Sequence, residues 1–353
     1  MTDLLKQGGR HRIKKTSADK YTMSIDVPKD VDGRIARECP QRGCSPGYFK
    51  VKAGTGVAEE QEHAYCPYCR HKAEPSNFTT HEQVRYAKDL VMREARNGIN
   101  DMVKHALGLG PSGKKRMGGG LVSMEMSYKP GRPRPVRLPA EDEVRRDVIC
   151  PLCTLDQTVF GLATWCFDCG EDIFLAHVDA ELAVTRLMVD DIERRRDALG
   201  NRVAAKDMEN CLEDIVSTFE AALKAIARRA LAHRMLPPER IESEFRKVGN
   251  SFQSVARTRE QLSRLFHFEL QSAPLLDRLE AAFEKRHPIT HNLGVVDRRY
   301  LEKVQRGEQE GREIRITIPE ITTLLDDVSE AVRTIYAAPE LGLNPNGGAS
   351  ALP

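Results

Sequence analysis

The sequence predicts a mainly α protein, with a C-terminal helical bundle preceded by two small cysteine-rich modules. Two observations carry that reading. Eight of the nine cysteines fall in four close pairs, all before residue 170. Beyond residue 177, apolar residues recur every three or four positions, the period of a helix packed along one face. At 353 residues the chain is also long for one domain, so modules and bundle are expected to fold around separate cores.

Charge and hydropathy narrow the function classes. Lys and Arg total 54 against 52 Asp and Glu, which excludes a chain-wide basic field; any nucleic-acid surface must come from local clustering. No apolar run approaches the length of a membrane span, so no membrane partner is expected. The first twenty residues are basic and polar and lack the apolar stretch of a secretory signal. The expectation is therefore a cytoplasmic, reducing compartment, where paired cysteines indicate metal rather than disulfide.

In chain order, residues 1–34 read as a disordered basic tail and 35–75 as the first cysteine module. Residues 76–147 are a helix plus a linker. The helix rests on Val84, Ala87, Leu90, Val91, Ile99, Val103 and Leu107, with Gly98 weakening its middle. The linker is Gly-rich over 108–120, alternates as one strand in LVSMEMSY, and is Pro-rich and extended near 128–139. Residues 148–176 form the second module. The helical domain spans 177–338. Its long amphipathic helix runs from Val203 to Leu231 on Met208, Leu212, Ile215, Phe219, Leu223, Ile226 and Ala230, and Pro237-Pro238 stops it. Leu275, Leu276, Leu279 and Phe283 mark another helix, Arg312 to Ile318 a short strand, and Ile321 to Tyr336 a last helix; 339–353 read as a disordered tail.

The cysteine spacing defines the chemistry of the modules. Cys39 and Cys44 lie in CPQRGC, Cys66 and Cys69 in CPYC, Cys150 and Cys153 in CPLC, and Cys166 and Cys169 in CFDCG. Two intervening residues let both thiolates face one ion, and two such turns complete the tetrahedral four-sulfur site that zinc favours. Four cysteines leave no open position for substrate, so the expectation is two structural zinc ions in two zinc ribbons, and no catalytic metal. Iron or a redox dithiol would fit the same spacing, although no βαβ pattern of a redox domain surrounds the pairs. His63 and His71 are near enough to substitute in the looser first module. Cys211, on the apolar face of the long helix, reads as a buried thiol. Lys114, Lys115, Arg116, Arg132, Arg134 and Arg137 are candidate phosphate contacts, or simply a solvated linker. Asp190, Asp191 and Glu193 precede a run of arginines and read as a solvated, locally paired face.

The stretch FEKRHPITHNLGVVDRRYLEKV, residues 283–304, puts Arg286, His287 and His291 in one segment at the end of a helix. Over about 177–338 the chain resembles the HEPN superfamily, whose motif is an Arg, a polar neighbour, and a His four to six residues on. The flanks resemble it too, with HNLGVVD, Tyr300 and a final helix following. The resemblance implies a helical bundle that dimerises and cuts RNA without a metal at the scissile bond. By position, His291 would exchange protons with the ribose 2′-hydroxyl or the leaving 5′-oxygen, Arg286 would stabilise charge on the phosphate, and His287 would assist. Pro288 predicts that the helix ends or kinks at Arg286. The sequence thus points to a homodimeric endoribonuclease of toxin or antiphage-defence type, with RNA as its partner and ribbons that recognise the target or a partner protein. The alternative is a non-catalytic adaptor that binds RNA, a nucleotide or a protein through the ribbons and dimerises through the helical domain.

Overall fold

The computed structural model describes residues 4–17, 20–59, 61–110, 112–118, 123–132, 135–304 and 307–343. The chain divides into two compact units, one of residues 1–145 with 155–158 and 167–169, the other of 146–154, 159–166 and 170–353.

The first unit is built from hairpins and one long helix. In chain order these are β1 (Lys14–Ser17), β2 (Lys20–Thr22), β3 (Arg34–Glu38), β4 (Tyr48–Lys52), β5 (Ala64–Tyr65), β6 (Lys72–Ala73), α1 (His81–Ala106), β7 (Lys114–Met117) and β8 (Met124–Ser127). Each consecutive strand pair is antiparallel, with Arg34 opposite Lys52 in β3–β4 and Lys114 opposite Ser127 in β7–β8. β9 (Arg146–Ile149) and β10 (Asp156–Val159) follow, and β10 adds to the β3–β4 hairpin beside β4. An aromatic cluster forms the core. The Phe49 and Phe78 rings each sit 5.2 Å from that of Phe167, and Tyr68 meets Phe49 edge-on. A charged triad is buried alongside: the Lys50 ammonium contacts Asp30 at 3.0 Å and Glu141 at 2.9 Å, so the cation is compensated where solvent is scarce.

α1 begins at a reciprocal cap. Thr80 Oγ1 accepts the Gln83 backbone N–H, and Gln83 Oε1 accepts that of Thr80, satisfying two orphan donors for about 1 kcal/mol. The Gln83 amide also donates to the Ala36 carbonyl at 2.9 Å, which ties the helix start to β3. Leu90 and Gly98 face inward, while Val84, Val91 and Ile99 are exposed. Gly98 is more than a weak point in the helix. The Leu4 carbonyl passes so close that a Cβ on residue 98 would lie 1.6 Å from it.

Four expectations differ from the structure here. The segment 1–34, expected to be disordered, carries β1, β2 and β3's first residue, and buries Leu5 and Ile13. Its apolar residues are sparse, but two of them suffice to dock it. The Gly-rich linker contains β7, which pairs with β8 because KKRM and MEMS have strand-compatible residues on either side of the glycines. Arg312 to Ile318 is not a strand. An isolated bridge joins Val295 and Glu313, and the chain enters the last helix at Ile318. Of the tail 339–353, Leu341 and Leu343 are buried, and 344–353 lie outside the described residues.

The second unit is helical: α2 (Phe174–Asp190), α3 (Ile192–Leu199), α4 (Asn201–His233), α5 (Pro238–Val248), α6 (Val255–Phe266), α7 (Ala273–Asn292), α8 (Arg298–Lys303) and α9 (Ile318–Tyr336). α4 is the central rod. Leu212, Ile215, Phe219, Leu223, Ile226 and Ala230 are all buried on its predicted face, and Met208 packs at the margin. Leu275, Leu276, Leu279 and Phe283 of α7 bury against it, with Phe219 and Phe283 stacked edge-on at 5.2 Å. Pro238 opens α5 at a position where its missing N–H is harmless. Among the described residues, no helix is long and apolar enough to cross a membrane.

Replacing Gly98 with Val is expected to push residues 4–13 off α1. Stability should fall by about 1–3 kcal/mol, the usual range for overpacking, and proteolysis near residues 4–22 should accelerate in a limited-digestion assay. Ile99→Thr, at an exposed position of the same helix, should leave both unchanged.

Candidate metal centres and the Arg-His helix end

The four pairs converge as two clusters, Cys39, Cys44, Cys66 and Cys69 in one and Cys150, Cys153, Cys166 and Cys169 in the other. Within each, the sulfurs all lie within 4.8 Å of one another. Hairpins position them. Cys39 and Cys44 sit between β3 and β4, Cys66 and Cys69 between β5 and β6, and Cys150 and Cys153 between β9 and β10. A Trp165–Asp172 bridge brackets Cys166 and Cys169.

Three of the four cysteine turns share one backbone design. The carbonyls of Cys66, Cys150 and Cys166 each accept an N–H from the residue four positions on, Arg70, Thr154 and Gly170, at 3.0 Å. Those three residues have φ of 60°, 63° and 69°. In two of the turns the first cysteine's own N–H returns to the fifth residue, His71 or Glu171, at 2.9 Å. The turn therefore closes on itself and aims both sulfurs to one side. The wider CPQRGC turn differs: the Cys39 N–H goes to the Gly47 carbonyl and Gly43 supplies the positive φ. The histidines raised as substitutes, His63 and His71, are in neither cluster.

The sulfur spacing suits a tetrahedral ion. Metal–sulfur bonds of about 2.3 Å require sulfurs about 3.8 Å apart. Cys39–Cys69 and Cys44–Cys66 are both 3.7 Å apart, and Cys153–Cys166 is 3.4 Å. The acid–base balance of the first cluster points the same way. Burial, with neighbouring thiols, pushes Cys44 up to about 12, and the bond to Cys69, then burial, pushes Cys66 up further. Hydrogen bonding from Cys66 pulls Cys69 down to about 5. Thiols this close oppose one another's ionisation, and holding several thiolates together would take a cation at their centre. Cys211, by contrast, is fully buried on α4, and burial followed by the nearby Asp214 carboxylate pushes its thiol up to about 11, the behaviour of an inert core thiol.

Beside the second cluster the structure adds residues with no local sequence signal. Arg229 of α4 donates to Asp172 at 2.7 Å and to the Tyr336 hydroxyl at 3.0 Å, while its guanidinium lies 4.9 Å from the centre of the Trp165 ring. Trp165 and Asp172 flank the Cys166–Cys169 turn, so one arginine links that turn to α4 and α9. The three partners lie 57 to 107 residues from Arg229 in sequence, which is why spacing could not reveal them.

The Arg-His segment lies on the final turns of α7. The helix does not stop at Arg286, as Pro288 predicted, but runs to Asn292 with Pro288 inside it and buried. Proline costs the helix one N–H, and burial of Pro288 and Ile289 offsets that loss. Leu293 at φ 51° ends the helix, and the Gly294 N–H caps the Pro288 carbonyl at 2.8 Å. The Asn292 side chain donates to the Val295 carbonyl, which fits its reading as a turn maker. His287 and His291 are one turn apart on the same face, ring centres 5.1 Å apart, with His291 exposed. Arg286 points elsewhere: residues five apart on a helix differ by about 140° in direction. Its Nη1 donates to Gln253 Oε1 at 3.0 Å, and the Gln253 amide donates to Glu220 at 2.7 Å. Among the described residues no hydrogen bond joins Arg286 to either histidine.

The remaining candidates stand as follows. Lys114, Lys115 and Arg116 are exposed on β7, and Arg132 and Arg137 are exposed beyond β8; Arg134 lies outside the described residues. Asp191 and Glu193 pair with Arg194 and Arg196 three residues on, at 2.6 Å, as a solvated helix face does. No protein-family model matches the chain, and no curated protein or solved structure matches it. Fold and site together define a mainly helical protein with two small four-cysteine modules able to coordinate metal.

Metal analysis of the purified chain is expected to find two ions per molecule. Cys66→Ser and Cys166→Ser should each remove about one, whereas Cys211→Ser should keep both. A Cys211→Ser protein with reduced metal content would contradict the assignment.

Proposed function

We propose that the chain is a metal-independent endoribonuclease of HEPN type, held together by two structural zinc ions. The observation that carries the reading is the pair of imidazoles, His287 and His291, presented on one face of the capped end of α7. Zinc is the ion because an all-thiolate tetrahedral set with no open position matches its coordination and needs no redox chemistry. Its role is structural, and no step of the reaction passes through it.

In this reading His291 takes the proton from a ribose 2′-hydroxyl, and the oxygen attacks the adjacent phosphorus. The 5′-oxygen leaves with a proton supplied by a second imidazole, giving a 2′,3′-cyclic phosphate and a 5′-hydroxyl. Arg286 balances the charge on the phosphate oxygens. The divergence of Arg286 and His291 on one helix bears on assembly. Two copies meeting through the ends of α7 would bring the arginine of one chain toward the histidines of the other, the homodimer that the resemblance implies.

A second reading has its own support. Arg286 is already engaged by Gln253, and a guanidinium anchored in that way suits holding a helix or gripping RNA without cleavage. The test is cleavage of a labelled RNA by metal-loaded protein in chelator-treated buffer, with analysis of product ends. His291→Ala is expected to lower the rate at least about 100-fold, the lower end for loss of a general acid or base, with metal content and oligomeric state unchanged. Equal cleavage by both proteins, or none by either while RNA is still bound, would favour the second reading.

A further inference from the structure

The near-neutral formal charge conceals a segregation. Residues 1–22 and 93–137 hold sixteen Lys and Arg against five Asp and Glu, so the rest of the chain is net negative. The structure brings these two stretches together. Leu4 packs its carbonyl against Gly98, the Tyr128 hydroxyl donates to Asn100 Oδ1 at 2.8 Å, and the Leu109 N–H donates to the Lys104 carbonyl. The chain leading into the β1–β2 hairpin and the β7–β8 hairpin are thus fixed to the same two turns of α1, around residues 98–104.

Both hairpins direct cations to solvent. Lys14 and Lys15 are exposed on β1, and Lys114, Lys115 and Arg116 on β7. Among the described residues, Lys14, Lys20, Lys115 and Arg116 form no ion pair within the chain. On β7, Lys114 pairs with Glu125 at 3.1 Å, and in the helical unit Arg194, Arg264 and Arg278 each meet a carboxylate at 2.6 Å. Unmatched cations on exposed strands repel one another, and a polyanion relieves that repulsion while releasing its counterions. The cations lie along two exposed strands rather than converging in a cavity. That layout fits a ligand whose charge repeats along its length better than a small anion.

We propose that the β1–β2 and β7–β8 hairpins, whose flanking residues Leu4 and Tyr128 meet α1 at Gly98 and Asn100, form a sequence-independent binding surface for the phosphate backbone of single-stranded RNA. The choice of RNA among polyanions rests on the function proposed above; the existence of the surface does not. It would hold RNA by charge, without Arg286, His287 or His291.

The test uses metal-loaded full-length protein and a 2′-O-methyl oligoribonucleotide, which cannot be cut through its 2′-oxygen, so binding is read separately from cleavage. Fluorescence anisotropy is measured between about 50 and 200 mM salt. Lys14→Glu with Lys15→Glu, and Lys115→Glu with Arg116→Glu, are each expected to weaken binding at least about tenfold at the lower salt. Lys→Gln and Arg→Gln versions should reduce the slope of log affinity against log salt by about 1.4, the value for two lost contacts to a single strand. Arg298→Glu with Arg299→Glu on α8 should bind as wild type. Retained metal content and circular dichroism exclude unfolding, and the milder Gln variants decide the matter if the Glu variants misfold. Wild-type affinity in the hairpin variants, or no wild-type binding at 50 mM salt, would overturn the proposal. So would binding of the same hairpins to vesicles of phosphatidylserine and phosphatidylcholine with no binding to the oligonucleotide. Loss of cleavage in His291→Ala with oligonucleotide binding intact leaves this surface standing, and binding without any cleavage by wild type overturns only the nuclease reading.

Discussion

Four sulfur atoms cannot share a space under 5 Å across as anions without a cation among them, and the N-terminal half of this chain is arranged around that constraint twice. The hairpins beside the clusters are short: β5 and β6 have two residues each, and β9 and β10 four. Strands of that length do not persist by their own hydrogen bonds. The zinc proposed above would supply what the small core lacks, since structural zinc in isolated peptides contributes roughly 10–16 kcal/mol of apparent binding energy to folding. The aromatic cluster of Phe49, Phe78 and Phe167 and the buried Lys50 triad would then have a fixed frame on which to pack.

The second unit is stabilised differently. Its core is a continuous apolar cluster around α4, and its periphery is a set of arginine–carboxylate pairs. Most of these are exposed and contribute about 0–1 kcal/mol each. Arg229 is the exception, because it is mostly buried and meets a carboxylate, a hydroxyl and aromatic faces at once. It makes the environment of Trp165 and Asp172, on either side of the Cys166–Cys169 turn, part of the same packing as α4 and α9.

How much of this was legible in the sequence depended on distance along the chain. Features written in local spacing were readable: the eight cysteines, the buried face of α4 from Leu212 to Ala230, the start of α5 at Pro238, and the i,i+3 pairing of Asp191 with Arg194. Features made by chain segments meeting from afar were not. Gly98 read as a weak helix residue because nothing in HEQVRYAKDLVMREARNGIN announces that Leu4 will lie against it. Residues 1–34 read as a tail because their charge outweighs Leu5 and Ile13, yet docking needs only a place for those two side chains. At Pro288 the local rule was outweighed by burial at the helix end. For the Arg-His segment the residue types were plain, but their directions were not: the pairing of Arg286 with Gln253 depends on a turn more than thirty residues upstream.

The cysteine turns place Arg70, Thr154 and Gly170 in the same left-handed conformation, although only glycine adopts it without steric cost. An ion held by the cysteines, as proposed above, would remove the need for the side chain to prefer that conformation. Evolution is then free to choose residue 70 for what it displays rather than for how it bends. Each turn becomes an interchangeable mount, on which a charged, hydroxyl or absent side chain can be shown to solvent without redesigning the fold beneath.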